Sequence, residues 1–396
     1  MEISAVTVPL EAGPLGSAPP RYEWLRAHAP IAPGLLEDGT RVWLMTKYED
    51  IRQVLLDARF SREAAAHLPG VGFGRLGDVG SLHSFVNTDD PDHKRLRRTV
   101  NACMSEKRLA HHEEFIGGIA ADLINSMTTQ SSTADLVGAF AEPFAGRTIS
   151  RVVGIRWELW RDVLASGDLA CLMSRVGSVA ESRAARQRLV RKLAENIEAR
   201  EFAKGSAGAS LARARTAGTL SEDEYVDSVL SLLVAGQEGL GTALVKAVVL
   251  LLQHPDQLAL LRAKPVLYAN AVEEVVRFYA SSNESFLRVA VADVRLADFK
   301  IAAGDIVMTP AVAANRDPQY FDDGRRFDVQ RETRGHLGFG AGPHYCVGAA
   351  LARIGMRMGI RMLFERLPKL AIVGDPERLY SRRETLLKFP SLTVTW

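Results

Sequence analysis

At 396 residues, with 47% hydrophobic and 24% charged residues, the chain has apolar material for a substantial core and none of the bias of a disordered or fibrous protein. Lys plus Arg number 49 against 47 Asp plus Glu, a net charge of +2, so no global field attracts nucleic acid and electrostatic docking must be local. Three widely spaced cysteines, Cys103, Cys171 and Cys346, argue against a disulfide framework and for a reducing, cytoplasmic setting, with Cys103 and Cys171 expected as packing residues.

The segment Met1 to Leu10 has neither a basic n-region nor the apolar run of a signal peptide. No later stretch reaches the roughly 18 to 20 apolar residues of a membrane span, so no membrane anchor is expected. Residues 1–20, rich in Pro, Gly and Ala, read as an irregular lead-in. Residues 21–396 read as one domain, because neither a low-complexity linker nor a repeat interrupts them. Helical patterning starts at Arg21. Arg41 to Thr46 reads as a strand, and Tyr48 to Leu56 as a helix against it. Residues 61–88 turn irregular, with Pro69-Gly-Val-Gly-Phe-Gly breaking any periodicity, as a functional loop would. Helical segments dominate from Asp92 to Leu367, with breaks near 127–134, 203–219 and 281–340. The last break holds two strand-like runs, Phe286 to Ala290 and Asp305 to Thr309. The tail, Leu386 to Pro390 and Leu392 to Trp396, alternates and reads as a terminal hairpin. The fold class is mainly α with a smaller β region.

The most informative stretch is His336-Leu-Gly-Phe339-Gly340-Ala-Gly342-Pro-His344-Tyr-Cys346-Val-Gly348, one cysteine in a glycine-rich loop ahead of an apolar helical run. A thiolate bound to iron needs backbone N–H groups around its sulfur, and glycines let a chain approach a macrocycle where a side chain would collide. The pattern Phe-Gly-x-Gly-x-His-x-Cys-x-Gly resembles the ligand loop of the cytochrome P450 family, and the resemblance runs from about residue 20 to the end. It implies the cytochrome P450 fold and a haem b whose iron is ligated by Cys346. Phe339 would cover the sulfur side, Gly340 and Gly348 would shape the loop, and His344 would reach a propionate.

Asp90-Pro-Asp-His93-Lys-Arg-Leu-Arg97 opens a helix with acids in its first turn, and His93 and Arg97, four apart, share a face. The resemblance makes this pair, with Arg288 at the head of a later strand, the rest of the propionate set. A guanidinium suits that role because its planar donors match a carboxylate bidentately. Glu274 and Arg277, in an apolar helix beginning near Ala269, match the family's Glu-x-x-Arg pair, with Arg331 as the third member. These three would brace the sulfur side rather than react.

The run Val234-Ala235-Gly236-Gln237-Glu238-Gly239-Leu240-Gly241-Thr242 departs from the family pattern Ala-Gly-x-Glu/Asp-Thr-Thr. Glu238 is kept, Gly239 stands where the resemblance implies a proton-relaying threonine, and Thr242 lies nearly one turn further on. Losing that hydroxyl leaves proton delivery to ordered water, to Glu238 or to a group of the substrate. Gly239 and Gly241 each weaken a helix by about 1 kcal/mol against alanine, and a local widening or bulge holding water is the expected consequence. Ala235, Gly236, Glu238, Gly239 and Thr242 form the candidate catalytic set. Pocket walls carry over by region to His83, Phe85, Val234, Glu284, Phe286 and Leu386, of which His83, Phe85 and Phe286 can stack on an aromatic ligand.

The resemblance implies a soluble haem-thiolate monooxygenase that takes electrons from NAD(P)H through a ferredoxin or flavodoxin with its reductase. It would oxidise a small natural-product substrate in secondary metabolism, such as antibiotic biosynthesis. Arg353, Arg357 and Arg361 along one helix would offer the redox partner a basic docking patch. Two alternatives stand beside hydroxylation. One is radical C–C or C–N coupling of aromatic cyclic dipeptides without oxygen insertion, suggested by the missing alcohol; the other is a non-catalytic haem- or ligand-binding protein.

Overall fold

Arg41–Met45 forms the strand that its alternation predicts, with Val42 and Leu44 buried on one face. The computed structural model to which it belongs describes residues 4–68, 83–101, 103–168, 171, 178–198, 202–203, 205–279, 287–379 and 389–396. Arg41–Met45 pairs antiparallel with Ile31–Leu35 and parallel with Ile306–Met308. The whole sheet runs Val6–Thr7, Ile31–Leu35, Arg41–Met45, Ile306–Met308, Arg288–Ala290, Phe60–Ser61. Two of these strands correct the sequence reading. Ile31–Leu35 is disguised by Pro33 and Gly34, which are poor strand formers. Val6–Thr7 lies in the supposedly irregular lead-in and pairs in parallel with Gly34 and Leu35.

The helix Tyr48–Leu56 covers this sheet. Its Tyr48, Ile51 and Val54 share one core with Met45, Leu296, Ile301, Val307, Phe321 and Leu337, and each such side chain contributes about 1.5–3 kcal/mol when fully buried. These elements belong to one of two compact units, comprising Met1–Ala65, Lys246–Cys346 and Gly374–Pro390.

The second unit comprises Ala66–Val245, Val347–Val373 and Ser391–Trp396 and is largely helical. Within it Glu113–Gln130 packs on Ala349–Arg366 and on Glu142–Val153. Ala207–Thr216 is a helix inside the expected 203–219 break. Ser206 starts it by accepting the Ala209 N–H at 3.2 Å, and the alanine-rich run that follows sustains it. Among the described residues of the tail, the expected second strand pairs with segments outside the tail. Thr393–Thr395 has Ala371–Ile372 on one edge and Thr133–Asp135 on the other, a pairing between distant segments that local alternation does not reveal; residues 386–388 of the expected hairpin lie outside the described residues.

Glu222–Gln253 is a single helix of 32 residues. It stays α-helical through Gly236, Gly239 and Gly241, so the expected bulge does not form there; tertiary packing overrides the weak propensity of the glycines. A π-helical turn occurs instead at Val137–Ala141, directly ahead of Glu142–Val153. The long helix also corrects the expectation that no stretch is apolar enough to span a bilayer. By length and composition it qualifies, and 67% of its most apolar window is buried within the protein.

Candidate active site

In the first unit, Tyr268–Phe278 buries Glu274 and Arg277 completely. Arg277 donates from Nε to Glu274 Oε2 at 2.6 Å and from Nη2 to Oε1 at 2.8 Å, while Nη1 donates to the carbonyls of Asn315 at 2.5 Å and Gly324 at 2.8 Å. Glu274 Oε1 also accepts from the Asp328 N–H at 2.9 Å and from Arg331 Nε at 3.3 Å. The remaining Arg331 donors reach the carbonyls of Asp322, Asp323 and Arg326. Asn315 carries the network onward, donating to the Arg277 carbonyl and accepting the Leu337 N–H at 2.7 Å, where the cysteine loop begins. A buried ion pair is tolerable when its remaining donors and acceptors are met in this way.

The loop is closed by its own backbone. Gly340 donates to the Leu337 carbonyl at 2.9 Å, Tyr345 to that of Gly342 at 3.0 Å, and Cys346 to that of Phe339 at 2.9 Å. Gly342 has φ +69°, and a Cβ there would lie 2.5 Å from the Leu55 carbonyl oxygen at the end of Tyr48–Leu56, so the seat admits only glycine. Cys346 is left exposed, with the Phe339 ring edge-on to Tyr345 at 6.4 Å. His344 ends the 3-10 turn Gly342–His344. Arg288 heads its strand and is buried, with Nη1 3.2 Å from the Leu287 carbonyl.

In the second unit, His93 and Arg97 lie on Asp92–Asn101. His93 is buried with Nδ1 3.5 Å from the Asp90 carboxylate, and burial, then the Arg97 charge, holds it below the usual imidazole range. Arg97 donates to Asn101 Oδ1 at 3.0 Å and lies 5.8 Å above the ring of Phe85, itself buried. His83 is exposed; its backbone N–H donates to Asp227 Oδ2 at 3.3 Å, and Asp227 also accepts from Arg186 at 2.5 Å. Val234 is buried, whereas Glu284, Phe286 and Leu386 lie outside the described residues.

On the long helix, helical spacing sorts the candidate catalytic set by face. Ala235 is exposed, Glu238 and Gly239 are half-buried, and a Cβ on Gly239 would meet nothing within 4 Å. Gly236 lies on a packed flank of the helix, where a Cβ would stand 2.5 Å from Ile149 Cγ1 and Cδ1. Thr242, one turn on, is buried.

The family model described as Cytochrome P450 matches residues 183–368. Cytochrome P450-SU2 of Streptomyces griseolus is 34% identical over 99% of this chain and 97% of its own length. The 6-deoxyerythronolide B hydroxylase of Saccharopolyspora erythraea is 33% identical over 93% of each. The chain belongs to the cytochrome P450 family. The fold agrees: the solved structure of SgvP, a putative thioether synthase in the tailoring of griseoviridin, superposes with a TM-score of 0.91 over 100% of both chains at 31% identity. This P450 is a haem monooxygenase, and its electrons come from NAD(P)H through a redox partner.

The donor set suits haem b. In the first unit one sulfur stands exposed on a glycine-shaped loop, the chemistry that an axial thiolate needs, and Arg288 and His344 carry N–H donors of the kind a carboxylate takes; in the second unit, described by itself, His93 and Arg97 carry donors of the same kind. Among the described residues no group of three or more His, Cys, Asp or Glu makes another metal site. Sequence reasoning missed His336. Its Nδ1 accepts the Gly338 N–H at 3.1 Å, so Nε2 carries the proton and donates to Glu273 Oε2 at 3.0 Å, pinning the loop to Tyr268–Phe278. The Glu273-Glu274 doublet was the available signal. The expected docking patch is weaker than its three arginines suggest, because Arg357 pairs with Glu113 at 2.6 Å and Arg361 with Glu365 at 2.7 Å.

Proposed function

We propose that this P450 works in the cytoplasm with a ferredoxin or flavodoxin as electron donor, and that residues 21–396 act as one catalytic domain. The protein is a monooxygenase of natural-product biosynthesis, and hydroxylation of such a small molecule is the reading favoured here. Cys346 ligates the iron; His93, Arg97, Arg288 and His344 hold the propionates; Glu274, Arg277 and Arg331 keep the cysteine loop in place. When bound, the haem supplies the activation of dioxygen that oxidises the substrate. Glu238 exchanges protons at its carboxylate with water, and the space beside Gly239 is where that water stands. The observation that carries this reading is the open face of Ala235, Glu238 and Gly239, which a threonine would otherwise narrow.

The same observation favours a second outcome on the same site, oxidative coupling of aromatic cyclic dipeptides, because no alcohol stands at position 239 to deliver protons for oxygen insertion. The likeness to a putative thioether synthase, a bond-forming relative by its name, supports keeping it. A non-catalytic haem protein is not retained, since the relatives are named as hydroxylases and monooxygenases.

A Soret titration of the ferric protein decides the substrate class. Tryptophan- and tyrosine-containing cyclic dipeptides are compared with macrolides and terpenoids. A saturable low-spin to high-spin shift with macrolides or terpenoids supports hydroxylation, and a shift confined to the dipeptides moves coupling to first place. No shift with any of them contradicts both assignments of substrate.

A further inference from the structure

Three glycines, Gly236, Gly239 and Gly241, fall within six residues of the long helix, and each costs about 1 kcal/mol relative to alanine. The face bearing Glu238 therefore lies on the stretch of lowest intrinsic helix propensity, which packing must hold in place. Gln237, in the middle of this stretch, is buried and ties it to two neighbouring helices. Its Nε2 donates to the Glu142 carbonyl at 3.0 Å, and its Oε1 accepts the indole N–H of Trp160 at 3.3 Å. Trp160 is fully buried, so its N–H requires an acceptor, and Gln237 provides it.

The seat for this amide is shaped around it. Glu142 is the first residue after the π-helical turn Val137–Ala141, an irregularity of the kind often found near functional sites. Gly146, one turn further, has no room for a Cβ: it would lie 2.2 Å from Trp157 Cζ3 and 2.7 Å from Gln237 Oε1. Gly236 is pressed against Ile149 on the same side. Nearer its start the long helix is tied through Glu224 to Arg95 and through Asp227 to Arg186; at the glycine-rich stretch Gln237 adds two hydrogen bonds on the face opposite Gly239.

We infer that Gln237 is a positioning residue: by clasping the Glu142 carbonyl and the Trp160 indole, it sets the rotation of the long helix and so the placement of Ala235, Glu238 and Gly239. The inference rests on the P450 reading, because the face it orients is the one that delivers protons. A carboxylate some 6 Å from a helix axis moves about 1 Å for each 10° of rotation, and displacements of that size cost up to about a hundredfold in rate. A loosened helix delivers protons less well, and reducing equivalents then leave as hydrogen peroxide, two electrons and two protons per dioxygen. With protons well placed, the substrate-free enzyme instead reduces dioxygen fully to two waters with four electrons and four protons.

The test uses the holoenzyme without substrate, in the forms Gln237→Met, Gln237→Glu, Trp160→Phe and the double variant Gln237→Met/Trp160→Phe. Val163→Ala, a cavity in the same helix as Trp160, serves as the stability-matched control. Hydrogen exchange of the 232–244 backbone amides is measured in the resting protein. The peroxide formed per NADPH is measured with a surrogate ferredoxin and reductase. Gln237→Met accelerates exchange and raises the peroxide fraction, each by about two- to tenfold, the equivalent of about one net hydrogen bond. Trp160→Phe moves both the same way, and the double variant is less than additive because both changes remove one shared bond. Gln237→Glu keeps the acceptor for Trp160 and falls between. Unchanged exchange and peroxide in Gln237→Met, or an equal change in Val163→Ala, overturns the inference. If Gln237→Met fails to fold, Trp160→Phe carries the comparison alone. Failure of the P450 reading shows separately, as a wild-type protein without a thiolate-haem spectrum, while the exchange data remain interpretable.

Discussion

Replacing Gly236 and Gly239 by alanine, one at a time, should move stability in opposite directions although the two residues lie three apart on one helix. Both changes relieve a helix-interior glycine, a gain of about 1 kcal/mol. At Gly239 nothing stands within 4 Å of the new methyl, so the gain is kept. At Gly236 the methyl lands 2.5 Å from Ile149 Cγ1 and Cδ1 and 3.1 Å from its Cβ, which no rotation of that side chain relieves. Overpacking of this kind costs about 1–3 kcal/mol. The net expectation is about +1 kcal/mol for Gly239→Ala and about 0 to −2 for Gly236→Ala. Urea unfolding of the two holoproteins, compared at equal m-value, reads the difference as a shift in midpoint. Equal destabilisation by both alanines would refute the assignment of Gly239 to an open face and of Gly236 to a packed one.

Lys246 supplies a pH test. It is fully buried with its ammonium 5.5 Å from the Tyr279 ring centroid, and burial pushes it down from 10.5 to about 7. The unfolded chain keeps this proton up to the ordinary lysine range, so between pH 7 and 10.5 unfolding takes up protons and stability rises with pH. Below pH 7 the folded protein bears the full penalty of a buried charge, on the order of 5 kcal/mol. Lys246→Met should therefore be more stable than wild type at pH 6, and the gap should close toward pH 10; a gap independent of pH would contradict the burial of a titrating amine. Arg277→Lys should cost about 3–5 kcal/mol, because an ammonium cannot hold Glu274 bidentately and also reach the Asn315 and Gly324 carbonyls. Wild-type yield of haem-loaded protein from that variant would show that the network does not brace the loop. Gly239→Thr should increase the share of NADPH recovered as oxygenated product; an unchanged share would mean that water beside Gly239 is not limiting.

The parts of the fold readable from sequence are those with local causes. Glycine spacing marked the loop around Cys346 because Gly340 and Gly342 both take a positive φ, which favours glycine, and at Gly342 the Leu55 carbonyl also leaves no room for a Cβ. Apolar periodicity marked Tyr48–Leu56 and the helix of Glu274 and Arg277. What escaped depends on distant partners. Ile31–Leu35 is a strand because Arg41–Met45 pairs with it, despite Pro33 and Gly34. Thr393–Thr395 is drawn to Thr133–Asp135, some 260 residues away, by a pairing no local pattern encodes. The long helix was expected to bulge at its glycines, but Gly236 and Gly241 are where a neighbouring helix approaches closely, so packing keeps them helical. Gln237 carried no signal at all, since its value lies in Trp160 and the Glu142 carbonyl, which only the fold brings to it.

The assignment of Cys346 as axial thiolate is tested most directly by the ferrous carbon monoxide difference spectrum of purified wild type beside Cys346→Ser. Wild type should give the strongly red-shifted Soret band of a thiolate-ligated haem, and Cys346→Ser should lose it. A red-shifted band that survives in Cys346→Ser would place the iron on another ligand and contradict the assignment of Cys346.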